Sequence, residues 1–181
     1  MKKTILATLL LIASLKAFCG IVDHDLMYQA YLNNNMSVWK TELQKYTTSN
    51  ELTTTDKLEI SNYLYGYVAT LLIDADKNKQ EINDWIALWE QYLNDIEKAT
   101  GKTAYVYAYR SAINVYKSKV KAGGMMVWGP RSLTELKRAL AADPNNPLTN
   151  GLKGNMLFYM PSFVGGDKAE AIKWFEKALA G

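Results

Sequence analysis

Apolar positions recur every three to four residues along most of the chain, and the two-residue alternation of a half-buried strand is nearly absent. Ile82, Trp85, Ile86, Trp89, Leu93 and Ile96 fall on one helical face, an apolar stripe about 100° wide that requires a partner helix. In the segment 103–121, Ala104, Ala108, Ala112 and Val115 form a small-residue face. Tyr105, Tyr109, Ile113, Tyr116 and Val120 form a bulky one beside it. Such a helix sits between two neighbours, with close approach on the small side and layer filling on the large side. Only Arg110, Asn114 and Lys117 are then left for water. Tyrosines at 63, 65, 67 and at 105, 107, 109 alternate with period two, but both runs lie inside longer stretches of helical periodicity.

Start and stop signals divide the chain. Asp56 followed by Glu59, Asn78 by Glu81 and Asp167 by Glu170 match the reciprocal pattern that satisfies orphan donors at a helix start. Asn146 before Pro147 suits a cap followed by a proline whose missing N–H costs nothing there. Gly101, Gly123-Gly124 and Pro161 break helical patterns. The spacing predicts eight helices, roughly 25–33, 36–47, 56–74, 79–99, 103–121, 130–142, 147–160 and 167–180. The fold class is therefore all-α, built of stacked antiparallel helix hairpins.

The first twenty residues stand apart. Lys2 and Lys3 precede an apolar run from Ile5 to Ala13, followed by Lys16-Ala17-Phe18-Cys19-Gly20, the layout of a secretory signal peptide and too short for a stable membrane span. Cleavage after Ala17 or Cys19 leaves one domain, 21–181, exported to the periplasm or cell envelope, with no transmembrane segment expected in the mature chain. Acylation at Cys19 is the competing reading, opposed by the bulk of Phe18 where lipoprotein signals want a small residue. Loss of Lys2, Lys3 and Lys16 reduces the 21 basic residues to match the 18 acidic ones. That neutrality argues against nucleic acid or an anionic membrane surface as partner. Cys19 is the only cysteine, which excludes an internal disulfide and a thiolate metal site.

The C-terminal third resembles tetratricopeptide repeats, helix pairs of about 34 residues with small residues at the helix contact. Ala139 and Leu140, followed by Asp143-Pro144-Asn145-Asn146-Pro147, match the end of one repeat, and Gly154 falls where the next needs its small contact residue. Ala171, Phe175 and Ala178 supply the second helix, five residues late because Met160-Pro161-Ser162-Phe163-Val164-Gly165-Gly166-Asp167 is inserted. This Pro…Gly-Gly-Asp insertion is similar to that of a subgroup of exported repeat proteins, among them the helical component of some tripartite transporters. Residues 130–181 carry the resemblance, with a departure at Lys153, where the family prefers an apolar residue; residues 25–121 fit only as hairpins.

No phosphate cradle, nucleophile elbow or zinc-protease helix occurs, so neither catalysis nor a cofactor is expected. His24 is the single histidine and cannot complete a metal site alone. Asp74, Asp76 and Asn78 open with calcium-loop spacing, but Lys79 and Trp85 stand where glycine and a bidentate glutamate are needed. Two segments are apolar where connections are usually polar: Met125-Met126-Val127-Trp128-Gly129 and Met160-Pro161-Ser162-Phe163-Val164. Both join the first helix of a pair to the second, so a stacked array puts them on one edge. Trp128, Met160 and Phe163 there either receive a partner or pack on each other to seal the joint between repeats. The inner surface of an array is made by first helices, which nominates Tyr63, Tyr67, Arg110 and Asn114. The sequence thus predicts a non-catalytic envelope scaffold that engages a protein or peptide. The alternative is a small hydrophobic ligand, or a ring-forming component like the transporter-associated proteins. The chain ends at Ala180-Gly181 without the polar capping helix that arrays usually need, so the expectation is that further sequence follows, that a partner or a second copy in a homo-oligomer covers this end, or that the N-terminal helices fold back over it.

Overall fold

The computed structural model describes residues 20–49 and 51–180. The predicted signal peptide, with Cys19, lies outside them except for Gly20. Among the described residues there are eight α-helices and no strand, and the chain forms two compact units, divided between Leu52 and Thr53.

The smaller unit pairs α1, His24–Leu32, with α2, Met36–Gln44. Asp23 caps α1 by accepting from the Leu26 amide at 2.9 Å. Asn34 makes the turn in the left-handed region at φ 52°, a conformation asparagine tolerates better than most residues. Met27, Ala30 and Leu43 are buried, and the Trp39 indole donates to the Met27 carbonyl at 2.7 Å.

The larger unit holds α3, Thr54–Leu71; α4, Lys79–Thr100; α5, Ala104–Val120; α6, Gly124–Ala142; α7, Pro147–Tyr159; and α8, Lys168–Leu179. Side-chain pairs fix their sense. Lys57–Asp95 and Tyr67–Glu81 set α3 against α4. Arg110–Glu97 and Lys117–Glu90 set α4 against α5. Lys117 over Trp128 and Arg138 over Tyr107 set α5 against α6. Each of these neighbours is antiparallel, and so is the α7–α8 pair, where Gly154 meets Phe175 and Gly151 meets Ala178. Tyr109–Asn62 and Tyr116–Tyr65 make α3 and α5 parallel.

The predicted α4 stripe is fully internal, with Trp89 at 0% exposure. Its ring meets Tyr109 at 5.5 Å and Tyr116 at 6.2 Å between centroids, and Tyr116 stacks on Tyr65 at 5.9 Å. Aromatic contacts of this kind stabilise beyond their buried area. On α5, Ala104, Ala108 and Ala112 are buried, and Ser111 shares a hydrogen bond with Ser132 of α6 at 3.0 Å. The sequence pattern also placed Val115 and Tyr105 inward, whereas both stay partly exposed and Val106 is buried instead.

Three helix starts are built differently from the sequence expectation. The α3 cap is Thr53, not Asp56; the Asp56 carboxylate accepts from the Thr53 amide at 2.8 Å as the third helical residue. At Asn78 no capping box forms, because Glu81 instead accepts from the Tyr67 hydroxyl at 2.8 Å and the Trp85 indole at 3.2 Å. Finally, α6 begins at Gly124 rather than at Pro130, so Met125–Gly129 is helix and not a loop. Gly123, left-handed at φ 85°, reverses the chain at once, and the Trp128 indole fastens the new helix by donating to the Ala122 carbonyl at 3.2 Å.

Burial also sets an alkaline limit. Desolvation pushes the Tyr109 and Tyr116 hydroxyls well above the ordinary value of 10.0, and burial followed by the Glu81 contact does the same for Tyr67. Folded-state values raised in this way leave stability intact below pH 10.0. Above it the unfolded chain sheds protons that the folded one keeps, and stability falls by about 1.4 kcal/mol per pH unit per tyrosine. Phenolate absorbance of these three residues is expected only together with loss of helical signal; independent titration while the helices persist would contradict their burial.

Candidate functional site

Antiparallel alternation brings the connections after α3, α5 and α7 to one end of the larger unit. The last turns of α7 reach that end because Asn155 donates to the Tyr65 hydroxyl at 3.4 Å, level with Tyr116 near the end of α5. This end is apolar on its surface. Met126 is 91% and Phe163 86% exposed, with Ile73, Met125, Tyr159 and Val164 also out in solvent.

Cations frame it. Between Glu97 and Glu135 the sequence has no acidic residue, while Lys117, Lys119, Lys121 and Arg131 crowd the α5–α6 turn. Lys117 is paired with Glu90 at 2.5 Å. Arg131 makes no ion pair among the described residues and lies over the Trp128 ring at 4.7 Å. Lys168, at the start of α8, likewise has no carboxylate and lies over Phe158 at 5.3 Å. The result is an exposed aromatic and methionine surface edged by free positive charge.

The connection before α8 is a fastened loop rather than a slack one. The Gly166 amide donates to the Pro161 carbonyl at 3.1 Å and the Asp167 amide to that of Leu157 at 3.0 Å. Asp167 then caps α8 by accepting from the Glu170 amide at 3.0 Å. Phe163 is thereby held outward on a 3-10 turn, Ser162–Val164.

A second feature lies on the flank of the same unit. Glu90, Asn94, Arg110, Ile113, Asn114 and Glu135 line a depression of about 360 Å³ formed by α4, α5 and α6. Arg110 is tied to Glu97 at 2.5 Å and to Asn94 at 2.9 Å.

The nominated residues therefore divide. Met160 and Phe163 belong to the apolar end, and Phe163 is too exposed to seal a joint against Trp128. Trp128 sits at that end as a half-buried anchor of the α5–α6 turn, its ring already carrying Lys117 and Arg131. Arg110 and Asn114 come together in the flank depression, half-buried and not turned to bulk water as the pattern had implied. Tyr67 is not a surface residue: it is buried against Trp85 at 5.7 Å, because Glu81 draws its hydroxyl inward. Tyr63 is half-buried and joins neither feature. Sequence reasoning missed Arg131, Lys168 and Glu135. The acid-free stretch from 98 to 134 was a readable signal for the first; the other two acquire their setting only from neighbouring helices.

No described helix is long and apolar enough to cross a membrane, and no group of three His, Cys, Asp or Glu residues able to hold a metal occurs among the described residues. No protein-family model and no curated protein matches the chain. Among solved structures, the HusA haemophore from Porphyromonas gingivalis is similar in fold. It has a TM-score of 0.60 and 20% sequence identity, over 83% of this chain and 74% of that one.

Proposed function

We propose that this chain is a non-catalytic, exported binding protein that takes a flat, largely apolar ligand with acidic edge groups, of the tetrapyrrole class, on the connector end of its larger unit. The observation that carries the reading is the pairing of exposed Met126, Phe163 and Tyr159 with Arg131 and Lys168, cations that have no carboxylate of their own. Apolar faces of such a ligand lose water against the aromatic and methionine side chains, and its carboxylates meet the two free cations. The fold shared with a haemophore supports the same class. Kinship with tetratricopeptide repeats, resting on residues 130–181, belongs to this proposal as the source of the hairpin stack.

The larger unit offers iron neither an imidazole nor a thiolate. The single histidine, His24, and the single cysteine, Cys19, both lie outside it, so the macrocycle and its carboxylates carry recognition, and Met126 and Tyr159 are the side chains at that end able to add a contact to iron. Titration with haemin and with metal-free protoporphyrin, followed by visible absorbance and tryptophan quenching, is expected to saturate for both. Arg131→Glu with Lys168→Glu should weaken each by about tenfold or more, the equivalent of ~1.4 kcal/mol. Met126→Asp with Phe163→Asp should do likewise without loss of helical signal, since both side chains are exposed. Absence of saturation, or affinity indifferent to both double variants, would refute the assignment.

A peptide is the second reading, favoured by Met125 and Met126, whose flexible side chains mould to irregular partners. Under that reading a bound envelope partner is displaced by Met126→Asp while porphyrins neither bind nor compete.

A further inference from the structure

The flank depression carries chemistry that the apolar end does not use. Its six lining residues bring two carboxylates and one guanidinium, and most of these are already satisfied. Arg110 is neutralised by Glu97 at 2.5 Å and also donates to Asn94, and Glu90 accepts from Lys117 at 2.5 Å. These bonds stiffen the walls and leave no free cation among them.

Two groups remain. Glu135 is 17% exposed; its Oε1 accepts from Arg138 at 2.8 Å, but its Oε2 is buried with no hydrogen-bond partner. Asn114 lines the same depression and makes no hydrogen bond with any described residue. A buried carboxylate oxygen without a donor costs free energy that a charged donor recovers. The Asn114 amide oxygen, on the lining of the same depression, offers a second acceptor. A compact ammonium, with three N–H donors around one charge, can serve two acceptors from separate helices without the coplanar geometry that a guanidinium requires. Ile113 adds an apolar patch for the adjoining methylenes.

We infer that this depression is a second binding site, separate from the apolar end, that receives an alkylammonium group between Glu135 and Asn114. A free amine or the side chain of a lysine in a partner would both present that group. The site pairs with the ligand through N–H donors, so a quaternary ammonium of equal charge is excluded.

The test is a titration of the intact chain, at constant ionic strength, with n-butylammonium, tetramethylammonium and an N-acetylated, C-amidated lysine tripeptide, following the Asn114 side-chain amide by NMR. Butylammonium is expected to give a saturable shift with half-saturation on the order of millimolar, and tetramethylammonium none. A tripeptide that saturates at least tenfold lower than butylammonium assigns the site to lysine of a partner; equal or weaker saturation assigns it to free amines. Glu135→Gln should abolish the butylammonium shift while the backbone spectrum stays dispersed, and Asn114→Ala, read at the Asn94 amide, should weaken it. A linear, non-saturating response of the unaltered chain, equal shifts with tetramethylammonium, or a shift retained in a folded Glu135→Gln chain would overturn the inference.

Discussion

Trp89→Ala is expected to lower the unfolding free energy of the larger unit by about 3–5 kcal/mol, the usual cost of emptying a large aromatic site. Trp89 is fully buried, and its ring is the common contact of Tyr109 and Tyr116, which in turn hold α5 against Tyr65 of α3. Removing it leaves three helices around a void too large to close by small shifts. A midpoint drop on the order of 10 °C in thermal unfolding should follow. Trp89→Phe provides the contrast. The indole N–H is buried without a hydrogen-bond partner among the described residues, so phenylalanine keeps most of the apolar area and removes an unsatisfied donor. Its cost should stay below about 1.5 kcal/mol. Equal losses for the two variants would mean that the N–H is satisfied in solution, by water or by motion of a neighbour, and that the ring packing matters less than its position implies.

Gly166→Ala should have the second largest effect, and a local one. A methyl group on residue 166 would stand 1.8 Å from the Met160 carbonyl oxygen and 2.6 Å from its carbon. Both are backbone atoms, so no rotamer change relieves the clash. The loop must open, and with it go the Gly166 and Asp167 amide bonds that deliver Asp167 to its capping position. The expected cost is at the upper end of ~1–3 kcal/mol for overpacking, concentrated in α8, whose buried anchor is Ala171 and whose Phe175 lies against Gly154. Hydrogen exchange should show α8 amides losing protection while those of α4 keep theirs. Ligand capture at the connector end should weaken in the same variant, because Phe163 and Lys168 are placed by this loop. Unchanged protection of α8 would indicate that the loop accommodates the methyl group elsewhere.

The physical role of the Gly-Gly-Asp stretch joins a sequence pattern to the site. From the chain alone it reads as an insertion that delays α8. In the structure it is a compact latch: Gly165 is left-handed at φ 99°, Gly166 lies where no side chain fits, and Asp167 starts the next helix. Such conformational demands leave marks in sequence because few residue types meet them.

Where many weak local preferences agreed, the chain was readable. The α4 stripe, the α7 start at Asn146-Pro147, the α8 cap at Asp167 and the eight-helix, all-α architecture follow from periodicity and capping, which act within a few residues. The misreadings arose where two local signals competed. Pro130 looked like a helix start because proline is favoured there, yet α6 runs through it once Trp128 and Gly123 fix the preceding turn. Asn78 and Glu81 had the right spacing for a box, but a tyrosine fourteen residues away and the nearby Trp85 offered Glu81 better donors.

By itself, then, the sequence determined the helices, their apolar faces, the small residue at Gly154 and the unusual apolarity of two segments, since these depend on neighbours along the chain. Only the tertiary structure decided that Tyr67 turns inward, that Arg110 and Asn114 share a depression with Glu135, and that Met126, Phe163, Arg131 and Lys168 meet at one end. Those placements depend on which helix lies beside which and in what register. That is fixed by long-range burial and hydrogen bonding, and it carries no periodic signature in the sequence.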